Sequence, residues 1–172
     1  MRIVTAAVVA CLIAAVGPAW ADDAKPNPLD AIPDKMPFDV PYGAPITLDR
    51  ANTAIDAAVK EAQKRGWHMN VAVVDAGSNL VAFERMDNAQ LAGIEIAQHK
   101  ARVAARYRRD TKVFESTVQN NIAPMTLDGM IASRGGIPLI KDGKLIGAIG
   151  CSGGTGSQDE AVCKAGAAVI GP

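Results

Sequence analysis

Few side chains in this 172-residue chain are typed and spaced for chemistry. His68 and His99 are its only histidines, so any imidazole that ligates a metal or moves a proton must be one of them. No close His/Cys/Asp cluster surrounds either, which excludes a structural zinc site of the usual kind. The run Gly153-Gly154-Thr155-Gly156 leads into a helix start, where free backbone N–H groups and the positive end of the helix dipole favour an anion. It is neither a Walker loop, since no Gly-Lys-Ser/Thr follows, nor a complete dinucleotide fingerprint, since Asp159 stands where a third glycine is needed. Tight turning and close packing are the plainer role of these glycines. Gly150-Cys151-Ser152-Gly153-Gly154 satisfies Gly-x-Ser-x-Gly, but both histidines lie upstream, whereas an α/β-hydrolase places its histidine last. Cys151 and Cys163 either close a short disulfide loop, worth roughly 3 kcal/mol, or stay as two small buried thiols.

The elements that must position these residues follow from periodicity. Thr47 is a helix N-cap, Leu48, Ala51, Ile55, Ala58, Val59 and Ala62 share one face, and Gly66 is the stop. Met69 to Asp75 and Leu80 to Met86 read as a hairpin around Ala76-Gly77-Ser78-Asn79. Gln90 to about Arg109 reads as a helix whose small residues permit close packing, and 111–134 as one or two short helices interrupted near Pro124. A second hairpin, Ile137 to Lys141 and Lys144 to Cys151, turns at Asp142-Gly143, the pair favoured in a type I′ turn. A last helix is expected to start at Ser157, with Glu160 completing a capping box. Helices around two antiparallel hairpins point to an α/β (α+β) fold with a central antiparallel sheet and helices on its faces.

Residues 1–21 have the form of a secretory signal peptide: Arg2, an apolar run from Ile3 to Val16, and Ala19-Trp20-Ala21 as the cleavage site. The apolar run is shorter than a membrane span and is broken by Gly17-Pro18, so no membrane insertion is expected after cleavage, and a periplasmic or secreted product is. Residues 22–46 carry six prolines and read as an extended arm, leaving 47–172 as the domain. Lys plus Arg and Asp plus Glu balance at 18 each, and aromatics are few. The balance gives no electrostatic case for nucleic acid, and the aromatic content supplies few platforms for stacking bases.

Several short motifs recur in one order. Val73-Val74-Asp75-Ala76-Gly77-Ser78-Asn79-Leu80 continues to Arg85-Met86-Asp87, followed by Ala97-Gln98-His99-Lys100-Ala101, Gly135-Gly136-Ile137-Pro138-Leu139, Asp142-Gly143, Gly147-Ala148-Ile149-Gly150-Cys151-Ser152-Gly153-Gly154 and Gln158-Asp159-Glu160. Over roughly 47–170 the chain resembles the GlcG/HbpS-like family, which is related to the PduO C-terminal domain. The resemblance implies a profilin-like α/β sandwich that forms a homo-oligomer, with members that bind haem and others implicated in glycolate or diol metabolism. It makes Arg85 and Lys100 the best anion-binding candidates, for a carboxylate or a haem propionate, with ion pairing to Asp87 or Asp159 as the plainer role.

On this reading the protein is an exported, oligomeric haem-binding protein serving haem capture, storage or sensing, with His99 as the candidate iron ligand and Arg85 and Lys100 beside the cofactor. His99 shares a helical face with Glu95, a carboxylate placed to orient it, and with Arg102 or Val103. Met86, Tyr107, Met125 and Met130 are the sulfur and phenolate alternatives, and no Cys-x-x-Cys-His for covalent haem occurs. The rival is an enzyme or accessory holding a small hydroxy or oxo acid, with Arg85, Lys100, Gly153, Gly154 and Asp159 forming the anion site and Asp159 or Glu160 as acid/base. A structural assembly module without chemistry is the third reading.

Overall fold

A computed structural model describes residues 30–36 and 38–171. Residues 1–29, which hold the expected signal peptide and the first residues of the expected arm, lie outside the described residues. The chain divides after Lys35 into two compact units, and the fold is that of the second, Met36–Pro172.

Its elements run α1 (Leu48–Lys64), β1 (Asn70–Asp75), β2 (Leu80–Arg85), α2 (Gly93–Tyr107), α3 (Lys112–Thr117), a single 3-10 turn (Ala123–Thr126), β3 (Gly136–Lys141), β4 (Lys144–Ser152) and α4 (Gly156–Ala168). The strands form one antiparallel sheet in the order β2-β1-β4-β3. The two hairpins are therefore joined through their inner strands, β1 and β4, and Pro138, which has no N–H to donate, sits on an edge strand where that is tolerated. Asp142 and Gly143 both have positive φ, as a type I′ turn requires.

Alternation along β1 divides the core. Met69, Val71 and Val73 pack with Ala54, Ile55, Ala58, Val162 and Cys163 of α1 and α4, while Ala72 and Val74 face Ala97, Ala101, Ala104 and Ala105 of α2. The result is three layers: α1 and α4, the sheet, then α2. Each fully buried valine, leucine or isoleucine side chain of these layers contributes roughly 1.5–3 kcal/mol. The alanine face of α2 lets its backbone lie almost on the sheet, and a Cβ at Gly150 would collide with the Ala97 carbonyl and the Ala101 backbone.

The end of the proline-rich arm belongs to this domain. Beyond Asp75, where β1 stops, the arm takes its place beside β4: Gly43 N–H donates to Leu145 O, Leu145 N–H to Pro41 O, and Ile46 N–H to Ile146 O. Tyr42 Oη donates to Arg106 O and Arg108 to Val40 O, so the arm also holds the C-terminal end of α2. Ile46 is core, 5% exposed.

One expected helix start is displaced. The last helix is capped by Thr155, whose hydroxyl accepts from Gln158 N–H while Gln158 Oε1 accepts from Thr155 N–H. Two overlapping capping-box patterns exist here, and the upstream one is used because Glu160 is drawn into ion pairs.

Candidate functional site

Lys100 and Asp159 meet where α2, α4 and the end of β4 converge. Lys100 Nζ lies 2.7 Å from Asp159 Oδ2 and donates to Cys151 O at 3.2 Å, and the two side chains are 1% and 4% exposed. Asp159 Oδ1 accepts from Gly153 N–H and Gly154 N–H at 3.0 and 3.1 Å. The anion that the glycine-rich loop binds is thus the protein's own carboxylate. Lys100, Gly153, Gly154 and Asp159 were expected to grip an external acid; instead the Lys100 ammonium and both Asp159 oxygens are engaged with one another and with the Gly153 and Gly154 N–H groups, and the two side chains are buried.

Arg85, expected beside Lys100, is exposed at the end of β2. It lines a shallow hollow with Val59, Gln63, His68, Glu84, Met86 and Asp87, none of which belongs to the Lys100 site. His68 borders this hollow and a second one walled by Trp67, Asn88, Gln90, Gly153, Gly154 and Gln158. Met86 faces inward, its sulfur 3.4 Å from Met69 N. Tyr107 packs edge-on against Phe114, with ring centroids 5.2 Å apart. Met130 is buried and Met125 half exposed. Ser152 is buried, and neither histidine hydrogen-bonds to it among the described residues.

His99 opens onto a different surface. Its cleft of ≈ 530 Å³ is lined by Glu95, Ile96, His99, Arg102, Arg106 and Gly129, so one histidine and two arginines sit along a single side of α2. His99 Nε2 lies 2.8 Å from Gly129 O. A carbonyl only accepts, so Nε2 carries the proton and Nδ1 keeps the free lone pair. The orienting partner is therefore a backbone carbonyl and not Glu95. Gly129 has φ +68°, and a side chain there would also press on the Arg106 guanidinium. Arg102 is steadied by Gln98 Oε1 at 3.0 Å. Arg102 was expected on the face of His99, but Arg106 and Gly129 were not singled out in the sequence; the spacing of Arg106, seven residues on from His99, is the signal that could have found it.

Between α3 and α4 lies an ion network. Glu160, only 8% exposed, reaches Lys112, Arg134 and Lys164, and Arg134 also pairs with Glu115. Burial alone would raise the Glu160 pKa, but Lys164 and Lys112 outweigh it and hold the carboxyl below its ordinary value. The Arg134 hydrogen bond does the same for Glu115. Asp110 moves the other way, raised by burial against the bond it accepts from Lys112 N–H. A second unforeseen polar group is Asn70, whose Nδ2 donates to Gln90 O and Ser152 O while its buried Oδ1 has no partner among the described residues. Cys151 and Cys163 are joined, with Cα atoms 5.6 Å apart, tying the end of β4 to the middle of α4. Among the described residues no group of three His, Cys, Asp or Glu could hold a metal ion, and no helix is long and apolar enough to cross a membrane.

Residues 46–168 match the family described as "Haem degrading protein HbpS-like". Protein GlcG of Escherichia coli K12 is 44% identical over 108 residues, 62% of this chain and 81% of that protein. A crystal structure of an HbpS double mutant from Streptomyces reticuli superposes with TM-score 0.71 at 30% identity, covering 83% of this chain and 98% of the other. A PduOC structure solved as a haem complex superposes with TM-score 0.68 at 28% identity, covering 74% and 96%.

Proposed function

Because the chain belongs to the HbpS-like family, we propose that it binds haem, with the α2 cleft as the place where the cofactor docks. The observation that carries this reading is the pairing of an oriented imidazole with two guanidinium groups in one solvent-open cleft. The donor chemistry fits. An imidazole that gives one N–H to a backbone carbonyl presents its other nitrogen to a metal in the arrangement usual for histidine ligands. Arg102 and Arg106 are the cations that would meet the two propionates, where planar guanidinium forks pair well with carboxylates. The apolar side chain lining the cleft is Ile96. Bound haem would supply iron-centred redox and oxygen chemistry; the chain's own part is to bind, orient and shield it. This assignment replaces Arg85 and Lys100, which lie elsewhere, with Arg102 and Arg106. The small-acid reading is weakened because Lys100 is engaged with Asp159 and Arg85 lies apart from both.

We also propose that the protein works in the periplasm or outside the cell, as an oligomer. The buried Cys151–Cys163 bond supports an oxidising compartment, in agreement with the form of residues 1–21. The exposed apolar side chains Leu91, Ile122, Met125 and Leu127 support assembly, because a second copy would cover them.

The test is a haem titration of the mature protein followed at the Soret band. Saturable binding is expected in the wild type, weakened about tenfold or more in His99→Ala and in the Arg102→Ala/Arg106→Ala pair. An unchanged spectrum and affinity in His99→Ala would discard His99 as ligand, and binding no better than that of an unrelated protein would discard the function.

A further inference from the structure

The cavity at the start of α1 shares no lining residue with the haem cleft. It has a volume of ≈ 460 Å³ and lies between the arm and α1 on one side and the β3–β4 hairpin on the other. Such a volume falls within the range of small-molecule sites, about 300–1,000 Å³. Its floor is apolar, built from Pro45, Ile46 and Ile146, and its rim is basic. Arg50 comes from the first turn of α1, while Lys141 and Lys144 flank the hairpin turn, with Asp142 between them as the only carboxylate.

Three cations against one carboxylate give the lining a net charge of +2. Among the described residues none of these cations has an ion-pair partner, although the same chain pairs Lys100, Lys112, Arg134 and Lys164 elsewhere. Three cations border one concavity whose only carboxylate is Asp142, so its positive charge favours an anion. The arrangement is held in place by elements fixed for other reasons: Ile46 is core, and the arm is hydrogen-bonded to β4 on both sides of Gly43. A ligand of charge −2 with a small apolar body would match the net charge of the lining, accept a forked pair of hydrogen bonds from Arg50, and lie on the isoleucines.

We propose that this cavity is a second ligand site, for a small organic dianion such as a phosphomonoester or a dicarboxylate. It is independent of haem, since His99, Arg102 and Arg106 play no part in it. Phosphate and succinate are the probes. Thermal unfolding is followed with each, against acetate and against sodium chloride at matched ionic strength. A concentration-dependent rise in Tm with phosphate, succinate or both, absent with the controls, is expected, and which probe acts identifies the headgroup. Arg50→Gln/Lys144→Gln should fold with an unchanged far-UV spectrum and lose roughly tenfold or more in affinity, the effect of removing charge-assisted hydrogen bonds. His99→Ala should keep the full response, which separates this site from the haem reading. Equal stabilisation by sodium chloride, no response to either dianion, or a response retained in the double variant would overturn the proposal.

Discussion

Lys100 is paired inside the protein. Buried ion pairs cost desolvation and are tolerated where every donor and acceptor is matched, and here the ammonium has a carboxylate and a carbonyl while the carboxylate has two further N–H donors. Removing one partner leaves the other buried and alone. Lys100→Met should therefore lower stability by about 3–5 kcal/mol, and Lys100→Met/Asp159→Asn should cost less than the single change; urea midpoints at constant m-value decide this. Asp110 is the opposite case. Burial holds its pKa above the ordinary carboxylate value, so the folded state prefers it protonated and loses stability as pH rises from the unfolded pKa through the raised folded one. Asp110→Asn keeps an oxygen to accept from Lys112 N–H. It should raise the urea midpoint at neutral pH, and the gain should vanish at about pH 3, below the ordinary carboxylate pKa of ~3.9. Glu115 and Glu160, held low by their cations, act in the other sense: their stabilisation is present above the unfolded pKa and disappears as pH falls through the depressed one.

At the scale of elements, the last helix tests which of two similar signals the fold obeys. Thr155→Ala should cost about 1 kcal/mol, whereas Ser157→Ala, at an exposed position inside the helix, should be near neutral; paired denaturation curves check it. Both hairpins and the three long helices were legible, because apolar spacing and turn chemistry agree in them. Asp142-Gly143 determines its turn through positive φ alone, which is a local property. The cap was misread because two of Glu160's three partners, Lys112 and Arg134, come from distant parts of the chain and join the local Lys164. The same limit governs the site. His99 and its arginines share one helix and their spacing could be read, but Gly129, thirty residues on, is brought to the imidazole by tertiary folding. Lys100 and Asp159 were visible as a pair, yet nothing local indicates that the glycine-rich loop would close on the same carboxylate.

Across the whole molecule, the two proposed sites lie apart: the cleft assigned to haem is on α2, and the basic cavity is where α1 meets the β3–β4 turn. The arm bridges them, since Tyr42 bonds Arg106 O on α2 while Gly43 and Ile46 line the cavity. Deleting residues 36–45 should lower the unfolding temperature and weaken haem binding together, measured by calorimetry and the Soret titration on one preparation. The arm also imposes an order on biogenesis. Its hydrogen-bonding partner, β4, lies near the far end of the chain, so the earliest segment of the domain to be synthesised cannot dock until nearly all the rest has been made. Until then the arm has no strand to join.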